Sequence, residues 1–363
     1  MNLAAICKLS LTHNASDIHL KGGRQPLIRV DGGLLPLPNS PHLSGEAVGQ
    51  IAFDLLSIEQ RARFKDDLDV DLSVSIPDVG RFRANVFKQR QQVSIALRSI
   101  PLTVPSIESL GLPEALSKLT REERGLVLLT GVTGSGKSTT LAAMVEEINR
   151  REAKHIITIE NPIEYNFPDR KSLISQREIG VDSHSFSSAL RSALRQDPDI
   201  ILVSEIRDKE TMEIALAAAE TGHLVMASLH SINAPEAITR IADFFDAHHQ
   251  QAIRHLLCSN LKAVVSQRLV PMTDGGRIAA VEIMMNRGVV TECIERSERT
   301  KEIPDHIARG TAQYGSQSFD QSLYWHHEDG LISKEMALKY SDHPDDLSLR
   351  MTGLTGDDWS RSK

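Results

Sequence analysis

The run Gly131-Val132-Thr133-Gly134-Ser135-Gly136-Lys137-Ser138 satisfies G-x-x-x-x-G-K-[ST] at every fixed position. Glycines at these places let the backbone curl until successive amide N–H groups point at phosphate oxygens. Lys137 then supplies a counter-charge for β- and γ-phosphates, and Ser138 a hydroxyl for Mg2+. A Gly-rich turn without function is the plainer alternative. The context weighs against it: an apolar run, Leu126 to Thr130, enters the loop, and a helix-forming run leaves it at Ser138. The helix would add its positive N-terminal end to the cradle.

Three later segments also end an apolar run on residues able to do chemistry. Asp197-Pro198-Asp199 reads as a turn, Ile200 to Val203 as a buried strand and Ser204-Glu205 as its exit. Ligands of open parallel sheets bind just outside the carboxyl ends of the strands, so Glu205 is expected to face Mg2+, directly or through water. A helix cap or an ion pair with Arg207 is its plainer role. Ile156 to Ile159 leads likewise to Glu160 and Glu164, acceptors suited to orienting an attacking water and taking its proton. Spacing does not choose the base; with Glu205 assigned to the metal, Glu164 is the expected one. His223 precedes the apolar run Leu224 to Leu229 and His230 ends it. An imidazole at a strand's carboxyl end is placed to contact a γ-phosphate, a role expected mainly of His230. The pairs His248-His249 and His326-His327 read as solvated helix faces.

These groups need a scaffold. Residues 1–100 read as a small α/β domain: an amphipathic helix ending near Asn14, a strand from Pro26 to Val30 closed by Asp31-Gly32-Gly33, helical periodicity from Ser44 to Phe64, then long alternating stretches, Asp69 to Ile76 and Gly80 to Ile100. Pro101, Pro105, Gly111 and Pro113 mark a connector over residues 101–115. Residues 116–363 alternate short apolar runs with helical patterns, as a parallel sheet covered on both faces requires. From about Ala247 the patterns read as mainly helical, and Thr355 to Lys363 as a frayed tail.

Composition narrows the partners. Aromatic residues make up 4% of the chain and its formal charge is −7, which argues against nucleic acid as a partner. Cys7, Cys258 and Cys293 lie far apart without a CxxC pair, which reads as reduced packing thiols in a cytosolic protein and excludes a cysteine zinc site. No apolar run approaches membrane-spanning length, so a membrane role is expected only through a partner.

Taken in order, these segments resemble the secretion ATPases of type IV pili and type II secretion, most closely the pilus retraction group of PilT and PilU. The likeness runs from Ala15-Ser16-Asp17-Ile18-His19-Leu20 to Asp345-Asp346-Leu347-Ser348-Leu349-Arg350. Gly131 to Thr140 matches the family's Walker A loop, Ile159 to Tyr165 its Asp box, Asp197 to Asp208 its Walker B segment and Thr221 to Ser231 its His box. Ser318 to Leu323 is similar to the retraction group's C-terminal part. The assembly and type II enzymes carry a tetracysteine zinc element that this chain lacks the cysteines to make.

The resemblance implies a RecA-like P-loop NTPase core with a mostly parallel sheet, a smaller N-terminal PAS-like α/β domain, and a homohexamer that hydrolyses ATP with Mg2+ to power pilus retraction. It implies nucleotide contacts from Gly131, Thr133, Gly134, Ser135, Gly136, Lys137, Ser138 and Thr139. Arg81, Arg83 and Arg98 of the N-terminal domain, and Arg191, Arg195 and His223, become candidates for phosphate or intersubunit contacts; the spacing of Arg191 and Arg195 is that of one helix face. A membrane-embedded platform protein, and a paralogous retraction ATPase, are the implied partners, with the enzyme cytoplasmic and peripheral to the inner membrane. Departures from the family are Val132 for a proline, Ser204 for a glycine, Asn161 for an aspartate, and Val289 to Arg296 in place of Ala-Ile-Arg-Asn-Leu-Ile-Arg-Glu. They leave open an accessory or regulatory nucleotide-binding role in a mixed ring, with weak or no hydrolysis.

Overall fold

The computed structural model describes residues 2–353 and Trp359, Asp31 and Leu102 excepted, so the expected tail lies outside the described residues apart from Trp359. The chain divides into two units, Met1–Thr103 with Glu164–Asn166, and Val104–Ile163 with Phe167–Lys363.

In the first unit, α1 (Leu3–Thr12) precedes β1 (Asp17–Lys21), β2 (Leu27–Val30) and β3 (Gly33–Pro36). Helices α2 (Gly45–Leu55) and α3 (Ile58–Asp67) then lead to β4 (Asp69–Ile76), β5 (Gly80–Gln89) and β6 (Gln92–Ser99). The six strands form one antiparallel sheet in the order β3-β2-β1-β6-β5-β4. Its period of two is plain: Ile18, Leu20, Phe82, Ala84, Val86, Ile95 and Leu97 turn inward, where Ile6, Val48 and Ala52 join them. The single helical stretch expected from Ser44 to Phe64 is two helices. Ser57 breaks it, its side chain accepting from the Gln60 amide while Gln60 returns a bond to the Ser57 amide; that capping box was written in the sequence as S-x-x-Q.

The second unit opens with α4 (Glu114–Leu119), β7 (Gly125–Thr130), α5 (Lys137–Arg151), β8 (His155–Glu160) and β9 (Leu173–Glu178). It continues through α6 (Phe186–Ala193), β10 (Ile200–Val203), α7 (Lys209–Glu220), β11 (Leu224–Leu229), α8 (Ala234–Asp243) and α9 (Ala247–Asn260). Strands β12 (Leu261–Pro271) and β13 (Arg277–Met285) follow. The last helices are α10 (Val289–Glu295), α11 (Ile303–Arg309), α12 (Thr311–Tyr314), α13 (Phe319–Glu328), α14 (Lys334–Tyr340) and α15 (Pro344–Met351). The seven strands run β13-β12-β7-β11-β10-β8-β9, parallel except for the antiparallel β12–β13 pair. Every residue of β7, β10 and β11 is buried, which explains why their sequences do not alternate.

The mainly helical reading after Ala247 fails at β12 and β13. Both strands are largely buried on both faces, and such runs carry no period of two to separate them from a buried helix. The signal lay in the turn Asp274-Gly275-Gly276, whose glycines take φ of +89° and +76°. Edge strand β9, only partly buried, was not foreseen either. His326 is not solvated: it is buried in α13 with Nε2 3.0 Å from the Ala279 carbonyl oxygen. His248 and His249 are exposed on α9.

Candidate nucleotide site

Strand β7 lies between β11 and β12, and its carboxyl end opens into the glycine loop. Gly131 and Gly136 adopt φ of +143° and +93°, a region closed to side-chain-bearing residues except under strain. At Gly131 the space is closed as well, since a Cβ would lie 2.5 Å from Ser135 Oγ and 2.6 Å from the Gln267 carbonyl oxygen. Gly136 caps α5, and Lys137, the first residue of that helix, is buried with Nζ donating to the carbonyls of Gly131 (2.7 Å) and Val132 (3.1 Å). Thr133, Gly134 and Ser138 are exposed along the loop, as is Val132 at 59%, and Thr139 is half-buried.

Three buried polar atoms at this edge have no hydrogen-bond partner: Ser135 Oγ, Ser231 Oγ and Gln267 Oε1. Ser231 follows His230 at the end of β11, and Gln267 adjoins Ser266, which pairs with Thr130. Each such group costs about 1–3 kcal/mol when left unsatisfied. A polyanionic ligand with its own bridging waters is a chemical fit for hydroxyls, loop amides and an ammonium converging on one edge.

Glu205 stands two residues past β10, its side chain 16% exposed. Oε1 lies 2.8 Å from His230 Nε2 and Oε2 accepts from Arg207 Nη2 at 2.6 Å. Burial alone would push this carboxyl up; the hydrogen bond from Arg207 and the charges of His230, Arg207 and Lys137 hold it below the usual glutamate range. The structure thus brings together Lys137, Glu205 and His230, and it also forms the Arg207 ion pair that was Glu205's plainer reading. Ser204 needs no glycine conformation, since its φ is negative; its amide donates to the Ile159 carbonyl and its carbonyl accepts from the Ser228 hydroxyl.

The two acids at and after the end of β8 differ. Glu160 is buried and its Oε1 accepts from the Thr158 hydroxyl at 2.6 Å and from Gln176 Nε2 at 3.1 Å, which makes it a fixed part of the β8–β9 edge. Glu164 is exposed and lies in the segment Glu164–Asn166 of the first unit.

The outlying candidates scatter. His223 sits at the opposite edge of the sheet, before Leu224, which pairs with Gly125; its ring bonds the Ala218 carbonyl oxygen at 2.9 Å and closes the end of α7. It therefore does not meet this chain's own phosphate loop. Arg191 pairs with Glu210, whereas Arg195 lies past the end of α6 at Ala193, so the two do not share a helix face. In the first unit Arg83 and Arg98 are opposite each other on β5 and β6, and Arg98 Nε reaches Asp17 Oδ1 at 2.8 Å. Arg81 is half-buried two residues before Arg83.

Sequence reading missed Ser231, Ser266, Gln267 and Glu282. A signal existed for the middle pair: with Arg268 they make three polar residues that interrupt the apolar run from Ala263 to Val270.

Comparison with known proteins decides the family. The model for the type II/IV secretion system proteins matches residues 2–300. The chain belongs to the type II/IV secretion system protein family. It is 42% identical over 347 residues to the type IV pilus retraction ATPase PilT of Pseudomonas aeruginosa, covering 96% of this chain and 100% of that protein. The type IV pilus ATPase PilU of the same species is 40% identical over 350 residues, covering 96% and 91%. The crystal structure of the pilus retraction motor PilT with bound ADP superposes with a TM-score of 0.87 at 41% identity, over 96% of this chain and 99% of that one. For this family member the mostly parallel α/β sheet is the fold of the secretion ATPases. No helix among the described residues is long and apolar enough to cross a membrane.

Proposed function

We propose that this protein is an ATP-hydrolysing motor of type IV pilus retraction. The observation that carries the reading is the cluster of Lys137, Glu205 and His230 at the mouth of a glycine loop that holds a buried hydroxyl without a partner. Similarity along nearly the whole chain to proteins named for pilus retraction supports the choice of task.

The loop amides, Lys137, Ser138 and Thr139 hold the phosphates, with Thr133 and Ser135 lining the cradle. Ser138 and Glu205 are the residues to hold Mg2+, which when bound withdraws charge from the phosphate oxygens. Glu205, kept ionised by its cationic neighbours, ties the metal side of the site to the imidazole of His230. His230 in turn reads the presence of the γ-phosphate. Glu164 orients the attacking water; Glu160, already occupied by Thr158 and Gln176, is the poorer base. The two units are read as a PAS-like N-terminal domain and a RecA-like ATPase domain of a subunit in a homohexamer. Arg81, Arg83, Arg98, Arg191, Arg195 and His223 are its candidate contacts to phosphate or to a neighbouring subunit. The ring would work in the cytoplasm against an inner-membrane platform protein.

A second reading, an accessory paralogue in a mixed ring, is favoured by the near-equal similarity to PilU. Deleting the gene in its own host tests the choice. A retraction motor leaves cells with excess surface pili and no twitching, restored by the wild-type gene and not by Lys137→Ala. Restoration by the Lys137→Ala copy would overturn the motor and leave the accessory role.

A further inference from the structure

Glu282 lies within β13 and is 5% exposed, an acid that nothing above uses. Its Oε1 accepts from the Ser266 hydroxyl at 3.0 Å and from the amide of Ala234, the first residue of α8, at 2.8 Å. Ser266 in turn accepts from the Thr130 hydroxyl at 2.9 Å. The three side chains form a row across adjacent strands, because Thr130 pairs with Ser266 and Ser266 with Glu282. Thr130 immediately precedes Gly131, and Ala234 follows the segment that begins at His230. A single carboxylate thus joins the strand entering the phosphate loop to the segment bearing His230.

That segment is also held by its own helix, through Arg240 Nη1 to the His230 carbonyl (2.6 Å) and the Ile232 amide to Glu236 (3.0 Å), and by the His230 ring against Glu205 (2.8 Å), but of these bonds none reaches the strand that enters the phosphate loop. A leucine would fill the place of Glu282 without the cost of a buried acid. Burial pushes this carboxyl up to about 7 against the opposing bonds from Ala234 and Ser266, with Asp342 adding to the rise and Arg268 opposing it. What the acid supplies and leucine lacks is an acceptor shared by two elements.

We propose that Glu282 is a positioning residue that couples the phosphate loop to His230 through the Thr130–Ser266–Glu282–Ala234 row, so that nucleotide binding at the loop fixes the histidine segment. This rests on the nucleotide site proposed above. The coupling runs through contiguous hydrogen bonds, and cutting any one of them should separate the two responses.

Amide hydrogen exchange of the full chain, with and without Mg2+ and a non-hydrolysable ATP analogue, is the test. In the wild type the analogue should slow exchange about fivefold or more both at residues 131–140 and at residues 230–236. In Glu282→Leu the first response persists and the second is lost, while Glu282→Gln, which keeps the Oε1 acceptor, recovers most of it. Ser266→Ala cuts the row without removing a charge and should behave as Glu282→Leu does, which covers failure of the latter to fold. Steady-state turnover should follow, with kcat down about tenfold in Ser266→Ala and KM for ATP within about twofold. An undiminished response at 230–236 in both Ser266→Ala and Glu282→Leu would overturn the coupling alone. No response at 131–140 in the wild type would overturn the nucleotide site, and the coupling with it.

Discussion

The loops that leave β7 and β8 both follow a buried apolar strand, and both begin with polar groups at the carboxyl edge of one sheet. After β8 the chain answers those groups itself: Glu160 is buried and accepts from Thr158 and Gln176. After β7 it does not, since Ser135 Oγ is buried without a partner, as are Ser231 Oγ and Gln267 Oε1 beside the loop. Polar groups satisfied within the fold stabilise it, whereas those left unanswered cost stability until a ligand supplies the missing bonds. The contrast separates Glu160, whose bonds are made within the fold, from the unanswered polar atoms beside the glycine loop, which suit a ligand, where the sequence shows the same strand-then-polar pattern twice.

The largest effect is expected at Lys137. Its replacement by alanine removes the ammonium inside the loop and should lower ATP turnover about 100-fold or more, measured as steady-state phosphate release. Glu160→Ala should act differently: it strands the Thr158 hydroxyl and the Gln176 amide and should cost about 1–3 kcal/mol of stability in denaturant melts, with nucleotide affinity little changed. A large loss of affinity in that variant would dissolve the distinction between the two edges.

Titration sharpens the same contrast on two other acids. Glu205 has its folded pKa below the ordinary 4.5, so its stabilisation is present above that pH and is lost as pH falls through the folded value. Glu282 is shifted the other way, to about 7 from 4.5; the folded state holds its proton more tightly, so its contribution is full below about 4.5 and fades as pH rises toward 7. In melts across about pH 3 to 8, Glu205→Gln should flatten only the acid limb and Glu282→Gln only the decline between 4.5 and 7. The smallest effect is expected of Ser204→Gly. Serine already sits at negative φ with its backbone bonded to Ile159 and Ser228, so turnover should change less than about twofold.

Much of this was legible in the residues. The glycine loop, the buried strands leading to Glu205 and His230, and the alternating strands of the first unit follow from spacing and period alone. What escaped follows from burial. Strands β12 and β13 are covered on both faces and so lack alternation, which hid Ser266, Gln267 and Glu282 with them. His326 read as a solvated neighbour of His327 because a pair of polar residues on a helix does not say which one turns toward the Ala279 carbonyl. Spacing could not divide the roles of Glu160 and Glu164 either; the bonds of Glu160 to Thr158 and Gln176, which spacing does not show, are what favours Glu164 in the proposal.

Whether the edge after β7 binds ATP and turns it over with Mg2+ is decided by measuring Mg2+-dependent phosphate release and ATP binding side by side on purified wild-type protein and Glu164→Ala. Turnover in the wild type should stop on removing Mg2+, and Glu164→Ala should still bind ATP but scarcely release phosphate. Wild-type protein that binds ATP and shows no Mg2+-dependent release would contradict the proposed motor.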